Sequence, residues 1–384
     1  MAGPLVVIPS YNSASTVAYV VSQAARGLEE YFGGGSILVS DGGSSDGTRE
    51  VVEALRLGVE VAVERYPGPP GKGSAVLHGF RRALEGGYGG VVMLDSDLRS
   101  VEPYWVGLLG RAARDYGLVT PLYARHRHDG TITKTLAYPT AKAVLGLPVR
   151  QPIGGDFGVS AALAGEVVER APLFEPAAHR FGIDFFITST AADMGVRVAE
   201  ADLGTKLHAP KDPGRHLGGM FLDVAEAVAK AILEYYRPGR RVAVDRLSPG
   251  ETWRCPQLVR VDVEGGIRSF LEAYRAYRGE IARVMGGYAL DRVASALARR
   301  EAGAYPDRLW AETVYRHVAA YRREGRRVLE LLHVAWLGKV SSYVIDTLEA
   351  GEGEAERRVE SIVEAYRAEL GLLEELLGAG GHHG

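Results

Sequence analysis

Two carboxylates, Asp95 and Asp97, directly follow the apolar run VVML at residues 91–94. Such a run is typical of a buried strand, and the two-residue period of a strand puts both carboxylates on one side, with Ser96 on the other. Hard oxygen ligands suit Mg²⁺ or Mn²⁺, which proteins often hold with one or two carboxylates and a substrate diphosphate. A solvated turn would use the same residues, so the other motifs must decide between the two interpretations.

The run PGKG at residues 70–73 comes just before a predicted helix. Glycines let a backbone approach a ligand, and a helix N-terminus next to Lys72 favours phosphate. The GxxxxGK[ST] spacing of a P-loop is absent. Asp41 ends another apolar run, where its carboxylate can accept a hydrogen bond from the N–H of a base. For the nearby Asp46, helix capping is the better interpretation.

Three later segments carry further candidate residues. QPIGGD at residues 151–156 puts two glycines before Asp156, which suits a loop that closes over a sugar. Asp184 stands at the start of an apolar helix, a place where the helix dipole alone also favours a carboxylate. LGTKLH at residues 203–208 ends in His208, a candidate metal ligand with Lys211 close behind it.

The first half of the chain predicts the scaffold that would position these residues. Apolar runs alternate with helical segments, the runs lying at residues 5–9, 37–40, 59–63 and 91–94. This alternation predicts right-handed βαβ units and a mostly parallel sheet. Ligands of such sheets bind at the carboxyl ends of the strands, which is where the polar and Gly-rich loops fall.

The second half of the chain has a different pattern. From about residue 219, apolar side chains recur at helical spacing and charged residues cover the other faces. The sequence therefore predicts an α/β, Rossmann-like domain over residues 1–218 and a mainly α-helical region over residues 219–384.

Composition excludes several classes of protein. The 384 residues include 45 Lys and Arg and 48 Asp and Glu, and the net charge of −3 gives no reason to expect a nucleic acid partner. Cys255 is the only cysteine, which excludes an intrachain disulfide and a zinc site built from cysteines. No signal-peptide pattern and no apolar stretch of the ~20 residues needed to span a bilayer stands out. We expect a cytoplasmic protein without an integral membrane segment.

Several motifs, in order along the chain, resemble one family. VIPSYN at residues 7–12, SDGGSSDGT at residues 40–48 and DSD at residues 95–97 resemble nucleotide-sugar glycosyltransferases of the GT-A fold. PGKG, QPIGGD, GID, LGTKLH and the LGxM that follows at residues 217–220 resemble the retaining enzymes of the mannosylglycerate synthase and glucosyl-3-phosphoglycerate synthase type. The resemblance covers about residues 4–221. The helical half resembles that family only in its general pattern of amphipathic helices.

The resemblance implies roles for individual residues. Asp97 and His208 would bind Mg²⁺ or Mn²⁺, with Asp95 contacting the ribose or the metal. Gly155, Asp156 and Asp184 would surround the transferred sugar. Arg125 and Thr133 would hold the acceptor carboxylate. Together with Asp156 and Asp184 they are the predicted catalytic residues. The residues implied in donor binding are Pro9, Tyr11, Asn12, Asp41, Gly71, Lys72, Asp95, Ser96, Gly155 and Lys211.

The implied reaction moves a hexose, with retention, from GDP-mannose or from UDP- or GDP-glucose to a small carboxylate such as glycerate or 3-phosphoglycerate. No nucleophile stands out, so the resemblance favours front-face attack. Two alternatives stay open: a transferase with a polyprenyl phosphate or polysaccharide acceptor, and a catalytically idle nucleotide-sugar binder. Asp156 would become the general base if the enzyme were inverting. The sequence leaves room for a homodimer without fixing the oligomeric state.

Overall fold

The computed structural model describes residues 3–207, 213–252, 256 and 258–378, and residues 213–217 only as backbone. The described chain forms two compact units that interleave in sequence. The first comprises Met1–Arg125, Gly146–Lys211 and Arg240–Gln257, and the second His126–Leu145, Asp212–Gly239 and Leu258–Gly384. The division of the chain into domains at residue 218 stays a prediction.

An eight-stranded sheet in the order β3-β2-β1-β4-β6-β5-β7-β8 forms the centre of the first unit. The strands are β1 (Pro4–Ser10), β2 (Ser36–Asp41), β3 (Glu60–Arg65), β4 (Gly90–Met93), β5 (Leu118–Ala124), β6 (Gly158–Ser160), β7 (Val198–Thr205) and β8 (Val244–Leu247). Only β6 runs antiparallel to its two neighbours in the described sheet. The predicted α/β class with a mostly parallel sheet is confirmed.

Helices cover both faces of this sheet. They are α1 (Val17–Phe32), α2 (Thr48–Glu53), α3 (Lys72–Glu85), α4 (Pro103–Leu109), α5 (Ala161–Arg170) and α6 (Ile183–Met194). Alternate residues of β1 serve the two faces, because Val6 and Ile8 join a buried cluster with α1 and α4, while Val7 lies against Gly79 of α3. The central strand is therefore apolar on both sides, as a continuous apolar run predicts.

Strand β8 falls in the region that the sequence predicts to be mainly α-helical, and it is a strand that the sequence analysis did not identify. The strand pairs parallel with β7 at the edge of the sheet. It has four residues, VDRL, two of them charged. Such a short edge strand needs no apolar run, because one side of it has no strand partner and its charged residues stay exposed.

The second unit is helical. Its helices are α7 (Pro213–Tyr235), α8 (Val263–Met285), α9 (Ala289–Ala298), α10 (Asp307–Glu324), α11 (Arg326–Thr347), α12 (Glu352–Ala368) and α13 (Leu370–Gly378), with π-helical turns at Thr133–Ala137 and Thr140–Val144. Aromatic side chains fill its core, among them Trp310, Tyr315 and Tyr366. The predicted, mainly helical character of the C-terminal region is confirmed.

Within the described residues, α11 is the one helix whose length and composition would allow a membrane span, with a mean hydropathy of 1.3 over its most apolar window. The expectation that no stretch reaches this length is corrected to that extent. In the structure 72% of the window is buried, as in the core helix of a globular unit. Lys339, in the same helix, is buried and pairs with Asp307 at 2.5 Å.

Candidate active site

The loops after β1 and β4 are tied together at the carboxyl edge of the sheet. The hydroxyl oxygens of Ser13 and Ser96 lie 2.8 Å apart, and the Thr16 hydroxyl donates to the Ser96 carbonyl across 2.7 Å. Ser96 is thereby buried against the start of α1. Asp95 and Asp97, the neighbours of Ser96 in sequence, are both half-buried. Contact of Ser96 with a donor stays a prediction.

A network of alternating charges lies next to this loop. Lys72 Nζ lies 2.9 Å from Asp95 Oδ1 and 3.1 Å from Asp184 Oδ2. Lys206 Nζ lies 2.9 Å from Asp95 Oδ2 and 2.7 Å from Asp156 Oδ2. Asp95 therefore stands between two lysines, and the five side chains form one continuous cluster. We call it the five-residue cluster.

The fold explains why these five residues meet. Asp95 follows β4 and Lys206 follows β7, and these strands point the same way. Because β6 is antiparallel, the segment that leads into it lies at the same edge as the ends of the parallel strands, and Asp156 stands in that segment, two residues before Gly158. Lys72 and Asp184 stand in the first turns of α3 and α6. Ends of strands and starts of helices thus converge, as at other ligand sites in α/β sheets.

Lys206 uses all three of its ammonium donors inside the protein. Besides Asp95 and Asp156, its Nζ donates to the Gly154 carbonyl across 2.9 Å. The ring of Tyr123 lies beside it, with 5.3 Å between Nζ and the ring centroid. An ammonium has three donors. Lys206 therefore has none left for a substrate in this conformation and acts on the carboxylates around it.

Asp156 is fully buried, and both its oxygens have partners. Its Oδ1 accepts from the Asp95 N–H at 2.8 Å, and its Oδ2 accepts from the Tyr123 hydroxyl at 2.5 Å as well as from Lys206. The Tyr123 carbonyl in turn accepts from Gln151 Nε2 at 3.1 Å, which fixes the loop before Asp156. The Asp156 carboxylate therefore holds the Asp95 backbone, Tyr123 and Lys206 in position from the buried side of the cluster.

Asp184 and Lys72 retain hydrogen-bonding capacity. Within the described residues, Asp184 Oδ1 is buried without a hydrogen-bond partner. Lys72 Nζ has two carboxylate partners there, Asp95 and Asp184, for its three donors. Buried polar atoms of this kind are rare unless a water or ligand satisfies them. These two side chains are therefore the members of the cluster best suited to meet a polar ligand.

Burial and charge shift the pKa values of the cluster in opposite directions. Burial raises the pKa of Asp156 and of Asp184, against the opposing pull of the lysines. Burial would also raise the pKa of Asp95, but Lys206 and Lys72 outweigh it and hold that pKa well below its ordinary value. Burial would lower the pKa of Lys72, but Asp184 and Asp95 raise it overall. Both lysines stay charged at neutral pH, since the pKa of Lys206 is raised as well.

The glycines of the PGKG loop have a packing role in addition to the ligand role that the sequence predicts. A Cβ at Gly71 would clash with the His179 carbonyl, and one at Gly73 would clash with the Ala178 carbonyl. Packing on another backbone segment is therefore one reason why this loop needs glycines, and contact of Gly71 with a donor stays a prediction. Gly155, by contrast, has a φ of 90° and faces the Asp95 carboxylate, so a side chain there would displace a cluster member.

Asp41 uses its carboxylate within its own loop. Its Oδ2 accepts from the N–H groups of Gly43 and Ser44 at 2.8 and 2.9 Å, and its Oδ1 accepts from the Ser44 hydroxyl at 2.5 Å. Asn12 joins this loop by accepting from the Ser45 N–H at 3.0 Å. Contacts of Asp41 and Asn12 with a base stay predictions, and so do those of Pro9 and of Tyr11, which is 65% exposed.

The two predicted acceptor residues belong to different units. Arg125 is the last residue of the first segment of the sheet unit, half-buried, with its guanidinium carbon 5.6 Å from the ring centroid of Tyr123. Thr133 belongs to the helical unit, where it is buried at the start of a π-helical turn. Their joint binding of an acceptor carboxylate stays a prediction.

The donor set at the end of β4 fits a divalent cation whose coordination is completed by a substrate. Among residues 3–207, 213–252, 256 and 258–378, no three His, Cys, Asp or Glu side chains come together as a closed metal site. Asp97 is a second carboxylate in this loop, and each oxygen of Asp95 has a lysine partner. One or two carboxylates plus phosphate oxygens is the usual environment of Mg²⁺. The predicted ligand His208 and the predicted donor contact Lys211 lie outside the described residues.

Lys206 and Tyr123 were not singled out from the sequence. Lys206 lies inside the LGTKLH motif. It is a cation directly after β7, a strand that is buried along its whole length, and a charged residue at such a place could have indicated a functional role. Tyr123 gave none, because an aromatic residue near the end of a buried strand is ordinary core composition.

An eight-stranded, mostly parallel sheet with a DSD loop and a buried charge cluster at its carboxyl edge defines an α/β domain of the GT-A type. Residues 5–155 match the family model described as Glycosyl transferase family 2. The matched part of the chain includes the DSD loop and ends one residue before Asp156.

Known proteins resemble parts of the chain. Glycosyltransferase AglJ of Haloferax volcanii is 39% identical over 92 residues, which are 24% of this chain and 26% of that protein. The match therefore spans about a quarter of the relative's length. A solved structure of glucosyl-3-phosphoglycerate synthase from Mycobacterium tuberculosis with Mn²⁺, uridine diphosphate and phosphoglyceric acid has 25% identity and a TM-score of 0.48, over 62% of this chain and 81% of that one. The same enzyme with Mg²⁺ and uridine diphosphate has 24% identity and a TM-score of 0.47, over 60% and 79%.

Proposed function

We propose that this protein is a retaining glycosyltransferase that moves a hexose from a nucleotide diphosphate sugar to a small anionic acceptor. The observation that carries the proposal is the five-residue cluster at the carboxyl edge of the sheet, whose member Asp95 begins the DSD loop in the part of the chain that matches the family 2 model. The sequence resemblance supplies the substrate classes: glucose or mannose on UDP or GDP as donor, and glycerate or 3-phosphoglycerate as acceptor.

Asp97, with Asp95 beside it, would hold the Mg²⁺ or Mn²⁺ ion. Such an ion bridges diphosphate oxygens and stabilises the negative charge that develops as the nucleotide leaves. Lys72 stands at the N-terminus of α3, and its remaining donor suits a phosphate oxygen or a sugar hydroxyl. Its ion pairs with Asp95 and Asp184 fix the ammonium in place before the substrate arrives.

Asp184 is the carboxylate best suited to orient the sugar, because its buried Oδ1 can accept from a hydroxyl group. A carboxylate near the anomeric carbon also stabilises an oxocarbenium-like transition state. Asp156 contributes negative charge and holds its neighbours in position without touching the sugar, since its oxygens accept hydrogen bonds from Lys206, Tyr123 and the Asp95 N–H. A general base must reach the acceptor hydroxyl. The full burial of Asp156 argues against that role and favours the retaining alternative.

The proposal includes Arg125 and Thr133 as the groups that bind the acceptor carboxylate. A guanidinium matches a carboxylate with two parallel hydrogen bonds. A cytoplasmic location and a homodimer are part of the same proposal, and both depend on the resemblance alone.

A two-step assay tests the proposal. First, thermal shifts are measured for UDP-glucose, GDP-glucose and GDP-mannose, each with and without Mn²⁺; a ligand at ~100 times its Kd stabilises by about 2.7 kcal/mol. The stabilising donor is then incubated with glycerate, 3-phosphoglycerate, a polyprenyl phosphate or buffer. Transfer to one of the small acids supports the proposal. Transfer to the lipid alone supports the alternative acceptor, and donor binding without transfer or hydrolysis supports an idle binder.

A further inference from the structure

A hydrogen-bonded chain of three side chains joins the N-terminus of α3 to the segment before α6. Ser74 Oγ and His179 Nδ1 lie 2.8 Å apart, and His179 Nε2 lies 3.1 Å from Glu175 Oε1. Ser74 is in the first turn of α3, two residues after Lys72. His179 is five residues before Asp184 and ends a 3₁₀ turn, Ala177–His179. The chain therefore connects the two segments that supply the Lys72–Asp184 ion pair.

The order Ser, His, Glu resembles the triad of a hydrolase, but the environment excludes that chemistry. Ser74 is 2% exposed, so its hydroxyl cannot reach a substrate carbonyl. A nucleophile must stand within reach of the atom it attacks. The hydroxyl instead serves as an anchor for the imidazole, and the chain acts as a tether between two backbone segments.

Backbone packing at the same place adds to the tether. The carbonyls of Ala178 and His179 press on Gly73 and Gly71, where any Cβ would clash. This part of α3 and the 177–180 segment therefore lie in direct contact, and the side chain of His179 fixes their lateral register. Close packing transmits such a constraint, because interiors have few voids to absorb a shift.

We infer that His179 is a positioning residue for the Lys72–Asp184 pair. It contacts neither residue directly, and it acts by holding the α3 N-terminus against the start of α6 through Ser74. Displacement of either segment lengthens the 3.1 Å contact between Lys72 Nζ and Asp184 Oδ2. The inference rests on the proposed function, because Lys72 and Asp184 are the cluster members proposed to contact the donor.

Two near-isosteric substitutions separate the two ends of the tether. In His179→Asn the amide stands at the position of Nδ1, so the Ser74 contact is retained and the Glu175 contact is lost. In His179→Gln the amide reaches the position of Nε2, and the reverse holds. His179→Ala and Ser74→Ala remove the link to α3 from either side. His78→Ala is the matched control, because His78 lies in the same helix and its Nε2 stands 2.9 Å from a glutamate, Glu64.

Two readouts are measured on the full chain: hydrogen exchange of the amides at residues 72–76 and 177–186, and kcat with the donor found in the two-step assay. His179→Ala, Ser74→Ala and His179→Gln are expected to exchange faster at both segments and to lower kcat by about 10- to 100-fold, since a shift of ~1 Å can cost that much. His179→Asn and His78→Ala should match the unmodified protein in both readouts.

The inference is overturned if His179→Ala exchanges at the unmodified rate in both segments, or if His78→Ala lowers kcat as much as His179→Ala does. If His179→Asn lowers kcat as much as His179→Ala does, the effect belongs to the Glu175 contact, and the link through Ser74 is refuted. Hydrogen exchange needs no substrate, so it decides the tether even if the unmodified protein transfers no hexose. That last result would refute the proposed function on its own.

Discussion

The N–H of Asp95 donates to Asp156 Oδ1 across 2.8 Å, which joins the loop after β4 to the segment that leads into the antiparallel strand β6. The same two residues share Lys206, whose Nζ contacts Oδ2 of each. Asp95 is thus fixed both through its backbone and through its side chain. Because the DSD loop begins at Asp95, the metal and donor chemistry proposed for the loop depends on this pair.

Lys206→Met should lower the free energy of unfolding and, in the protein that remains folded, abolish transfer. Removing one partner of a buried ion pair costs about 3–5 kcal/mol, because a carboxylate is left buried without its counter-charge. Chemical denaturation measures the loss of stability, and the two-step assay measures the loss of transfer. The matched control is Lys339→Met, which removes a buried lysine from the helical unit, where it pairs with Asp307 at 2.5 Å. The control should lose stability and keep its kcat, and equal loss of kcat in both variants would contradict the assignment.

Asp97→Asn should abolish metal-dependent donor binding. An amide is a weaker ligand for a hard divalent cation than a carboxylate, and a metal supplies several kcal/mol of charge stabilisation at the leaving group. We expect transfer to fall by about a hundredfold or more. Calorimetry of Mn²⁺ binding in the presence of the nucleoside diphosphate gives a readout that needs no turnover. Asp115→Asn, at an exposed Asp that pairs with Arg111 at 2.9 Å, is the control. Unchanged Mn²⁺ affinity in Asp97→Asn would contradict the proposal that Asp97 is a metal ligand.

The sequence predicts the first four strands closely, because parallel strands need apolar runs and the loops between them need Gly, Ser and Asp, but it did not identify β5 and β6. It also identifies Asp95, Asp156 and Asp184 as residues of one site. It could not predict that Asp95 stands between two lysines, because that depends on the antiparallel direction of β6 and on the position of Lys206 after β7.

Two other features depend on packing that a single sequence does not express. The glycines of PGKG suggest an open phosphate loop, whereas their lack of side chains is needed by the carbonyls of Ala178 and His179. The segment from His126 to Leu145 is assigned to the helical unit although it lies inside the predicted α/β range. Local composition gives no sign of this, because long-range contacts decide it.

Asp184 should give the transfer reaction an acid limb. Burial raises its pKa above the ordinary value, so it takes up a proton at a higher pH than a solvated Asp would. The ionised form is the one proposed to orient the sugar, and kcat/KM should therefore fall as the pH falls through this raised pKa. Asp184→Asn should lower kcat and lose that limb. The pH profiles of the two proteins are compared with a donor that is itself stable in acid.

The stability of the fold should respond to acid through a different residue. The pKa of Asp95 is lowered in the folded state, because Lys206 and Lys72 outweigh the effect of burial. Its contribution to stability is present above its unfolded pKa and is lost as the pH falls through the folded value. Asp184 has the opposite sign, since its raised pKa favours the fold most below the unfolded pKa. The free energy of unfolding, measured by chemical denaturation as a function of pH, should therefore fall less steeply in acid for Asp95→Asn and more steeply for Asp184→Asn than for the unmodified protein.

Arg125→Lys should raise the KM for the acceptor far more than the KM for the donor. A lysine keeps the charge but loses the planar fork that binds a carboxylate through two hydrogen bonds. Steady-state kinetics with each substrate varied in turn measures the two effects. Arg111→Lys, at an exposed arginine of the same unit, is the control. Equal changes in both KM values, or none, would favour a general surface role for Arg125.

The stereochemistry of transfer tests the position of Asp156 most directly. An inverting enzyme needs a base on the face opposite the leaving group, and that base must exchange a proton with the acceptor hydroxyl. Asp156 has no exposed surface, and its two oxygens accept from the Asp95 N–H, the Tyr123 hydroxyl and Lys206. We therefore expect an α-linked product from an α-linked donor. Proton NMR of the fresh product measures the anomeric coupling before any mutarotation of released sugar. Asp156→Asn keeps the shape and the hydrogen bond to the Asp95 N–H, so it should lower kcat without changing the anomer. A β-linked product, together with complete loss of transfer in Asp156→Asn and its rescue by an external carboxylate such as formate, would return Asp156 to the role of general base.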